Sequence, residues 1–326
     1  MKEPRAKLSE TREFGRTGMH ITTVGLGTWA IGGGGWAFAW GPQDDRKSLA
    51  AIHRAMQLGI NWVDTAPVYG TGHAEETVAK ALDGVAARPY VFTKVSLIWD
   101  SKRKVSSSQR SESIRSEVKA SLKRLRVDKI DLCQVHWPRP ENEIEEGWRT
   151  LAELKDAGMV RHIGVSNFSV PQMEKVSSIA PIETLQPPYS LVYPEVDKEI
   201  LPYAKEHGIG VIVYSPMASG LLSGTMTAQR IREMPDDDWR RRDEQFKEPR
   251  LSRNLSLARL LGEIGKEHGS SAGEVAIAWT LQNPAVTAAI VGARSQEQVE
   301  GIVGAANIKL TKDDLERISK FVRENP

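Results

Sequence analysis

The sequence predicts an α/β fold: a (β/α)8 TIM barrel, with residues 1–326 forming a single domain. Three observations carry that reading. Eight short β-rich runs alternate with amphipathic helical stretches along the 326 residues, the order expected of a parallel sheet covered by helices. Eight is also the number of strands that closes such a barrel. The rival is a doubly wound open sheet, which needs a Gly-rich first turn opening a helix. Here the one glycine cluster, Gly32–Gly35, runs instead into Trp36-Ala37-Phe38-Ala39-Trp40-Gly41-Pro42, which reads as loop.

Taken in order, the polar residues 1–11 are expected to be flexible. An N-terminal β-hairpin then begins at Arg12, turns at Gly15-Arg16-Thr17-Gly18 and enters the apolar run Ile21–Leu26, read as the first strand. The other strand candidates are Asn61–Asp64, Tyr90–Lys94, Asp131–His136, Ile163–Ser166, Thr184–Gln186, Gly210–Tyr214 and Ala288–Val291. Helix patterns fall at Asp45–Leu58, Glu75–Leu82, Ser111–Leu125, Ile144–Ala157, Pro171–Val176 and Val196–Glu206. After a long loop following the seventh strand come Ser252–Glu267 and Ala272–Leu281, and Gln296–Val303 follows the last strand. Apolar spacing of three and four is clearest at Ile114, Val118, Leu122 and Leu125.

Composition excludes several classes. Lys+Arg 44 against Asp+Glu 42 leaves a formal charge of +2, without the basic excess of a nucleic-acid protein. No window reaches the roughly 18 apolar residues of a membrane span, and the N-terminus lacks the apolar core of a secretory signal. One cysteine, Cys133, allows neither an intrachain disulfide nor a Cys-based zinc cluster. A cytoplasmic setting is therefore expected. No His-x-His or His/carboxylate cluster with ligand spacing closes a strand, so no metal site is expected.

Barrel chemistry sits at the C-terminal strand ends. The second strand ends in Asp64, with Tyr69 five residues on; the third ends in Lys94 and the fourth in His136. A carboxylate and a lysine on adjacent strands can pair beside a phenol. A neighbouring ammonium favours phenolate and would lower the tyrosine pKa. Such a tyrosine can protonate a developing alkoxide and recover the proton in reverse, while the histidine donates a hydrogen bond to the same carbonyl oxygen. Separately, each has a plainer role: Asp64 as a helix cap, Lys94 solvated, His136 in packing, Tyr69 closing a turn.

At these residues the sequence resembles the aldo-keto reductase superfamily. Six stretches follow its pattern in order: Asp64-Thr65-Ala66-Pro67-Val68-Tyr69-Gly70, Phe92-Thr93-Lys94, Gln134-Val135-His136, Gly164-Val165-Ser166-Asn167-Phe168, Tyr214-Ser215-Pro216 and Val291-Gly292-Ala293-Arg294-Ser295. The likeness spans Phe14 to Phe321, and Asp238-Trp239-Arg240 ahead of Phe246 resembles the bacterial general stress and inositol-utilisation branch. The resemblance implies hydride transfer between nicotinamide C4 and a carbonyl carbon. Tyr69 would be the acid/base, Lys94 and Asp64 its tuners, and His136 the carbonyl-orienting donor.

It also implies where a dinucleotide would lie. Gly27, Thr28 and Trp29 follow the first strand, and Asp64 lies beside them. Ser166, Asn167 and Gln186 suit a carboxamide, which presents donor and acceptor, and Tyr214 can stack on the nicotinamide. Ser215, Pro216, Met217, Ser219, Gly220 and Leu221 form a small-residue loop for the pyrophosphate. Arg240, Gly292, Arg294 and Gln298 complete the set. A guanidinium at Arg294 suits a 2′-phosphate, favouring NADPH over NADH while leaving NAD open. Three positions depart from the pattern: Thr225 stands where many relatives carry lysine, and Gly301 and Ile302 where a Glu-Asn pair often holds adenine.

Substrate contacts are expected from Trp29, Tyr69, Trp99, His136 and Trp137. The first loop adds Trp36, Phe38 and Trp40, which either line the pocket or pack beneath that loop. Indoles stack on sugars, cyclitols and flat carbonyls alike, so the partner expected is a small carbonyl or alcohol. Two other functions stay open: a sugar or cyclitol alcohol dehydrogenase working oxidatively, and a cofactor-bound redox-sensing subunit. The basic run Lys102-Arg103-Lys104 reads as a solvated loop or an anion site. Arg240-Arg241-Arg242 reads as a mobile surface loop, and Cys133 as a buried, inert thiol.

Overall fold

The computed structural model describes residue 8 and residues 10–325. Two short strands, β1 (Thr11–Glu13) and β2 (His20–Thr22), pair antiparallel as the expected hairpin. Then come β3 (Val24–Gly27), β4 (Trp62–Asp64), β5 (Tyr90–Val95), the small hairpin β6 (Leu97–Trp99) and β7 (Val105–Ser107), then β8 (Ile130–Val135), β9 (Val160–Ser166), β10 (Thr184–Gln186), β11 (Gly210–Tyr214) and β12 (Ala288–Gly292). Strands β3, β4, β5, β8, β9, β10, β11 and β12 close a parallel barrel in chain order, with β12 pairing back onto β3.

The helices are α1 (Asp45–Gln57), α2 (His73–Ala81), α3 (Ser111–Leu125), α4 (Ile144–Asp156), α5 (Val170–Ser177), α6 (Ile200–Glu206), α7 (Ala228–Arg232), α8 (Arg250–Glu267), α9 (Ala272–Leu281), α10 (Gln296–Val303) and α11 (Lys312–Glu324). The start of α9 is written in the sequence: Ser271 and Glu274 form a reciprocal capping box that satisfies free N–H groups of the first turn.

The strand period of two decides what faces where. Trp62, Phe92, Leu132 and Ile212 point inward and pack with Phe14, Met19 and Ile21 of the hairpin, filling the barrel base. Alternate residues such as Val63, Val91, Cys133 and Val135 face the helices in the main core. Cys133 lies there, fully buried, and burial holds its thiol far above the ordinary range.

Some expectations change. The run Ile21–Leu26 is two strands, not one: β2 belongs to the hairpin and only β3 enters the barrel. Of the stretch 1–11 expected to be flexible, residues 1–7 and 9 lie outside the described residues. Leu8 is buried with its N–H on Leu58 O (2.8 Å), and Thr11 is already in β1. The basic run 102–104 forms the exposed turn between β6 and β7, closed by Asp100, whose Oδ1 accepts from the N–H groups of Lys102 and Lys104 (both 2.9 Å). That is a solvated turn. The 239–242 segment is anchored, not loose: Arg241 donates to Met234 O (2.8 Å) and Arg242 to Ala37 O (2.7 Å).

Candidate active site

The inward residues two positions beyond Trp62, Phe92 and Leu132 are Asp64, Lys94 and Gln134, so the same alternation that fills the base sets polar groups above it. Lys94 and Asp64 are 0% and 3% exposed, with Nζ donating to Oδ2 at 2.6 Å and to Thr65 O at 3.0 Å. The ammonium lies 5.3 Å from the Tyr69 ring centroid. Tyr69 stands edge-on to His136, ring centroids 5.9 Å apart. The Asp64 Oδ1 accepts from Gln186 Nε2 (2.9 Å), which also donates to Gln134 Oε1 (2.8 Å). Asp64 is thus held by groups from two other strands.

The Tyr69 phenol is pushed well above its ordinary value, first by burial and then by Asp64 and Tyr214. This reverses the expected lowering by Lys94. Its ammonium is neutralised by Asp64 and spent on hydrogen bonds, and burial itself pulls the Lys94 pKa down. Burial, assisted by Lys94, likewise holds His136 well below its ordinary value. The arrangement at neutral pH is a protonated phenol beside a neutral imidazole.

A cavity of about 910 Å³ runs from Tyr69 and His136 to Arg294 and Gln298. Gly27, Thr28, Trp29, Asp64, Ser166, Asn167, Gln186, Tyr214, Ser215, Pro216, Met217, Ser219, Gly220, Arg240 and Gly292 all line it, as does Trp137. Three expected residues do not. Leu221 turns into the apolar cluster with Leu257 and Leu261, and Trp99 lies against the Arg124 guanidinium, 5.9 Å from its ring. The third is Lys94, which lies behind the wall and is bonded to Asp64. Trp36 and Phe38 line the cavity too.

Beside His136, Tyr214 Oη donates to Asn167 Oδ1 (2.8 Å), and Asn167 Nδ2 donates to His136 O (2.9 Å) and Ser166 Oγ (3.0 Å). Asn167 and Ser215 hold φ of 63° and 56°, left-handed conformations that side chains adopt at a cost and that gather at functional sites. Ala218, Ser219 and Gly220 continue with positive φ. This turn of small residues brings main chain close to any anion in the cavity.

Several residues escaped the sequence reading. Trp239 stacks on Trp29 (5.2 Å, 15°), which in turn lies over Tyr69 (6.2 Å, 19°). Its neighbour Arg240, which the sequence reading did include, is locked two-pronged to the buried Asp238 (Nη2–Oδ2 2.6 Å, Nε–Oδ1 3.0 Å) and lies 4.3 Å from the Trp40 ring. Arg230 lines the cavity and donates to Thr225 Oγ1 (3.2 Å), restoring a cation where the lysine is missing. Leu97, Val105, Ser106, Ser107 and Arg139 line the cavity as well. The only local signal was Asp238-Trp239-Arg240; the others meet the site through long-range folding.

A family model of the aldo/keto reductase family matches residues 23–323. The chain belongs to this family. It is 40% identical to aldo-keto reductase YhdN of Bacillus subtilis over 94% of this chain and 91% of that one. It is 32% identical to the NADH-specific methylglyoxal reductase of Escherichia coli, over 92% and 94%. The structure of the glycerol dehydrogenase AKR11B4 from Gluconobacter oxydans superposes with a TM-score of 0.87 at 38% identity, covering 97% and 96%. This aldo/keto reductase is therefore an oxidoreductase of a family that uses nicotinamide cofactors. Among the described residues, no cluster of three or more His, Cys, Asp or Glu could hold a metal, and no helix is long and apolar enough to cross a membrane.

The site suits such a cofactor. The cavity is lined by the amide and hydroxyl side chains of Ser166, Asn167 and Gln186 and by the cationic Arg240, Arg294 and Arg230, and the buried indole N–H groups of Trp40 and Trp239 have no partner.

Proposed function

We propose that the protein is a single-domain, NADP(H)-dependent reductase of small aldehydes or ketones, with Tyr69 as general acid/base. The observation that carries this is the convergence of Asp64, Tyr69, Lys94 and His136 on one end of the cavity, with Lys94 Nζ 2.6 Å from Asp64 and 5.3 Å from the Tyr69 ring. When bound, reduced nicotinamide supplies hydride from C4 to the carbonyl carbon. Tyr69 Oη donates its proton to the carbonyl oxygen as negative charge develops there, and the neutral His136 ring donates a hydrogen bond to the same oxygen. Lys94 and Asp64 keep the phenol oriented and stabilise it once its proton has left. Ser166, Asn167, Gln186 and Tyr214 would hold the nicotinamide end, the 215–220 turn with Arg240 and Arg230 the pyrophosphate, and Arg294 with Gln298 the adenosine.

Trp29, Trp36 and Trp137 border the carbonyl end and limit its access to water, with the exposed Phe38 at the rim; less water strengthens each electrostatic contact. The preference for NADP(H) rests on Arg294. Fluorescence titration tests it: NADPH should bind at least tenfold tighter than NADH, and equal affinities would remove the Arg294 assignment. In Tyr69→Phe, NADPH oxidation with methylglyoxal or a benzaldehyde should drop by about 10²–10⁴ while cofactor affinity holds. Unchanged turnover would refute the role of Tyr69. The structural likeness to a glycerol dehydrogenase favours, as second reading, alcohol oxidation by the same site; NADP+ reduction with polyols reads it out. The single buried Cys133 fits a cytoplasmic setting.

A further inference from the structure

The loop between β3 and α1 crosses the adenosine end of the cavity as a strap, and Arg294 is bolted to it. Arg294 Nε donates to Gln43 Oε1 (2.6 Å), Nη1 to Trp40 O (3.2 Å), and Nη2 to Pro42 O. Gln43 returns the contact, its Nε2 donating to Arg294 O (3.0 Å) and to Ser48 Oγ (2.9 Å) on α1. Two-pronged phosphate binding uses two guanidinium nitrogens, and here three of the five guanidinium N–H groups, one from each nitrogen, already donate to the strap.

The strap also reaches the carbonyl end. The Trp40 indole packs edge-on against Trp29 (5.5 Å, 85°) and Trp239 (6.0 Å, 72°). Trp29 donates through Nε1 to Phe38 O (3.0 Å), within the same strap, and stacks over Tyr69. A continuous set of contacts therefore joins the guanidinium at one end of the cavity to the indole covering the acid at the other.

We propose that the Trp40–Gln43 strap and the adenosine 2′-phosphate compete for Arg294, so that the phosphate releases the strap and resets Trp29 at the carbonyl site. Gln43 and Trp40 are positioning residues in this scheme: they touch no reacting atom and act through Arg294 and Trp29. The inference rests on the reading that a dinucleotide lies in this cavity with its adenosine at Arg294. Coupling of this kind is reciprocal in binding free energy, so the aldehyde and the 2′-phosphate must each alter the other's affinity.

The test uses 2′,5′-ADP and 5′-ADP as probes that carry no nicotinamide. Hydrogen exchange of residues 36–44 should quicken about fivefold with saturating 2′,5′-ADP, a value at the low end of typical couplings, and stay unchanged with 5′-ADP. In parallel, the KM for one aldehyde should differ about fivefold between NADPH and NADH, and Gln43→Ala should bring the two within twofold. Gln43→Glu, which gives Arg294 a charged partner, should weaken 2′,5′-ADP selectively and keeps the scheme testable should the alanine variant fold poorly. Binding of 2′,5′-ADP without a response in residues 36–44 would overturn the coupling alone. Failure of 2′,5′-ADP to bind more tightly than 5′-ADP would overturn the cofactor reading beneath it as well.

Discussion

Replacing Lys94 by Met removes the ammonium but keeps its length and fills its space. Lys94 is 0% exposed and Asp64 3%, so the substitution strands a carboxylate out of water with only Gln186 Nε2 as a side-chain donor to it. Breaking a buried pair by taking one partner away costs about 3–5 kcal/mol. With a urea slope of about 3 kcal/mol per molar, at the upper end for small proteins, the midpoint should fall by about 1 M or more. Asp64→Asn in the same chain removes the lone charge, and Lys94→Met/Asp64→Asn should regain more than half of that loss. Activity should separate from stability: both variants should lose aldehyde reduction by about 10²–10⁴, because Tyr69 has lost its electrostatic support. A single variant within about 1 kcal/mol of wild type, or a double variant no more stable than the single, would refute the charge-burial reasoning.

Three further outcomes follow from the geometry. Since Tyr69 is held well above, and His136 well below, their ordinary values, the rate of carbonyl reduction should be flat from pH 6 to 8. A step near the ordinary histidine range would show that His136 titrates. Glu117, buried beside Ser96 and Ser113, has its pKa raised by burial from 4.5 to about 7. The folded state therefore holds a proton that the unfolded chain releases between those values, and stability should decline as pH rises through that window, by up to about 3 kcal/mol. Urea melts at pH 5 and pH 8 should show the decline in wild type and a flatter profile in Glu117→Gln, whose amide cannot ionise and keeps one of the two acceptor oxygens. Finally, a Cβ on Gly25 would fall 2.1 Å from the Trp62 ring, which is fixed by its N–H on Thr22 O (2.9 Å). Gly25→Ala should lower stability by about 1–3 kcal/mol, read by thermal melting; an unchanged melting temperature would mean that the ring can move.

How much of this was readable in advance depended on distance along the chain. The barrel and its strand-end chemistry were legible because inward positions recur every second residue: Trp62 then Asp64, Phe92 then Lys94. The helix over Ala272–Leu281 was legible for the same local reason, and the structure adds its Ser271–Glu274 cap. Trp99 was misplaced because its strand belongs to an outer hairpin, where the neighbour that claims the indole, Arg124, comes from α3. The split at Thr23 was hidden since Ile21 and Val24 are both apolar and both buried, one in the hairpin plug and one against the helices. The pKa of Tyr69 went the other way because a pairwise rule placed Lys94 beside the phenol without knowing that Asp64 already held its charge. The bonds between Arg294 and Gln43, 251 residues apart, leave no pattern in the sequence.

The pairing of β3 with β12 carries a consequence for how the chain is made. Residues Val24 to Gly27 emerge early in synthesis, yet their partners Ala289 to Gly292 come near the end; Arg12 likewise waits for the carbonyl of Val286 (3.0 Å). Until then the growing chain has a curved sheet with two bare margins, β3 on one side and the newest strand on the other. Such margins recruit other strands, and late, long-range closure lengthens the time they stay bare. A nascent chain stalled before Ala288 would therefore be an aggregation hazard, and only the final stretch of the polypeptide turns an open sheet into a ring without edges.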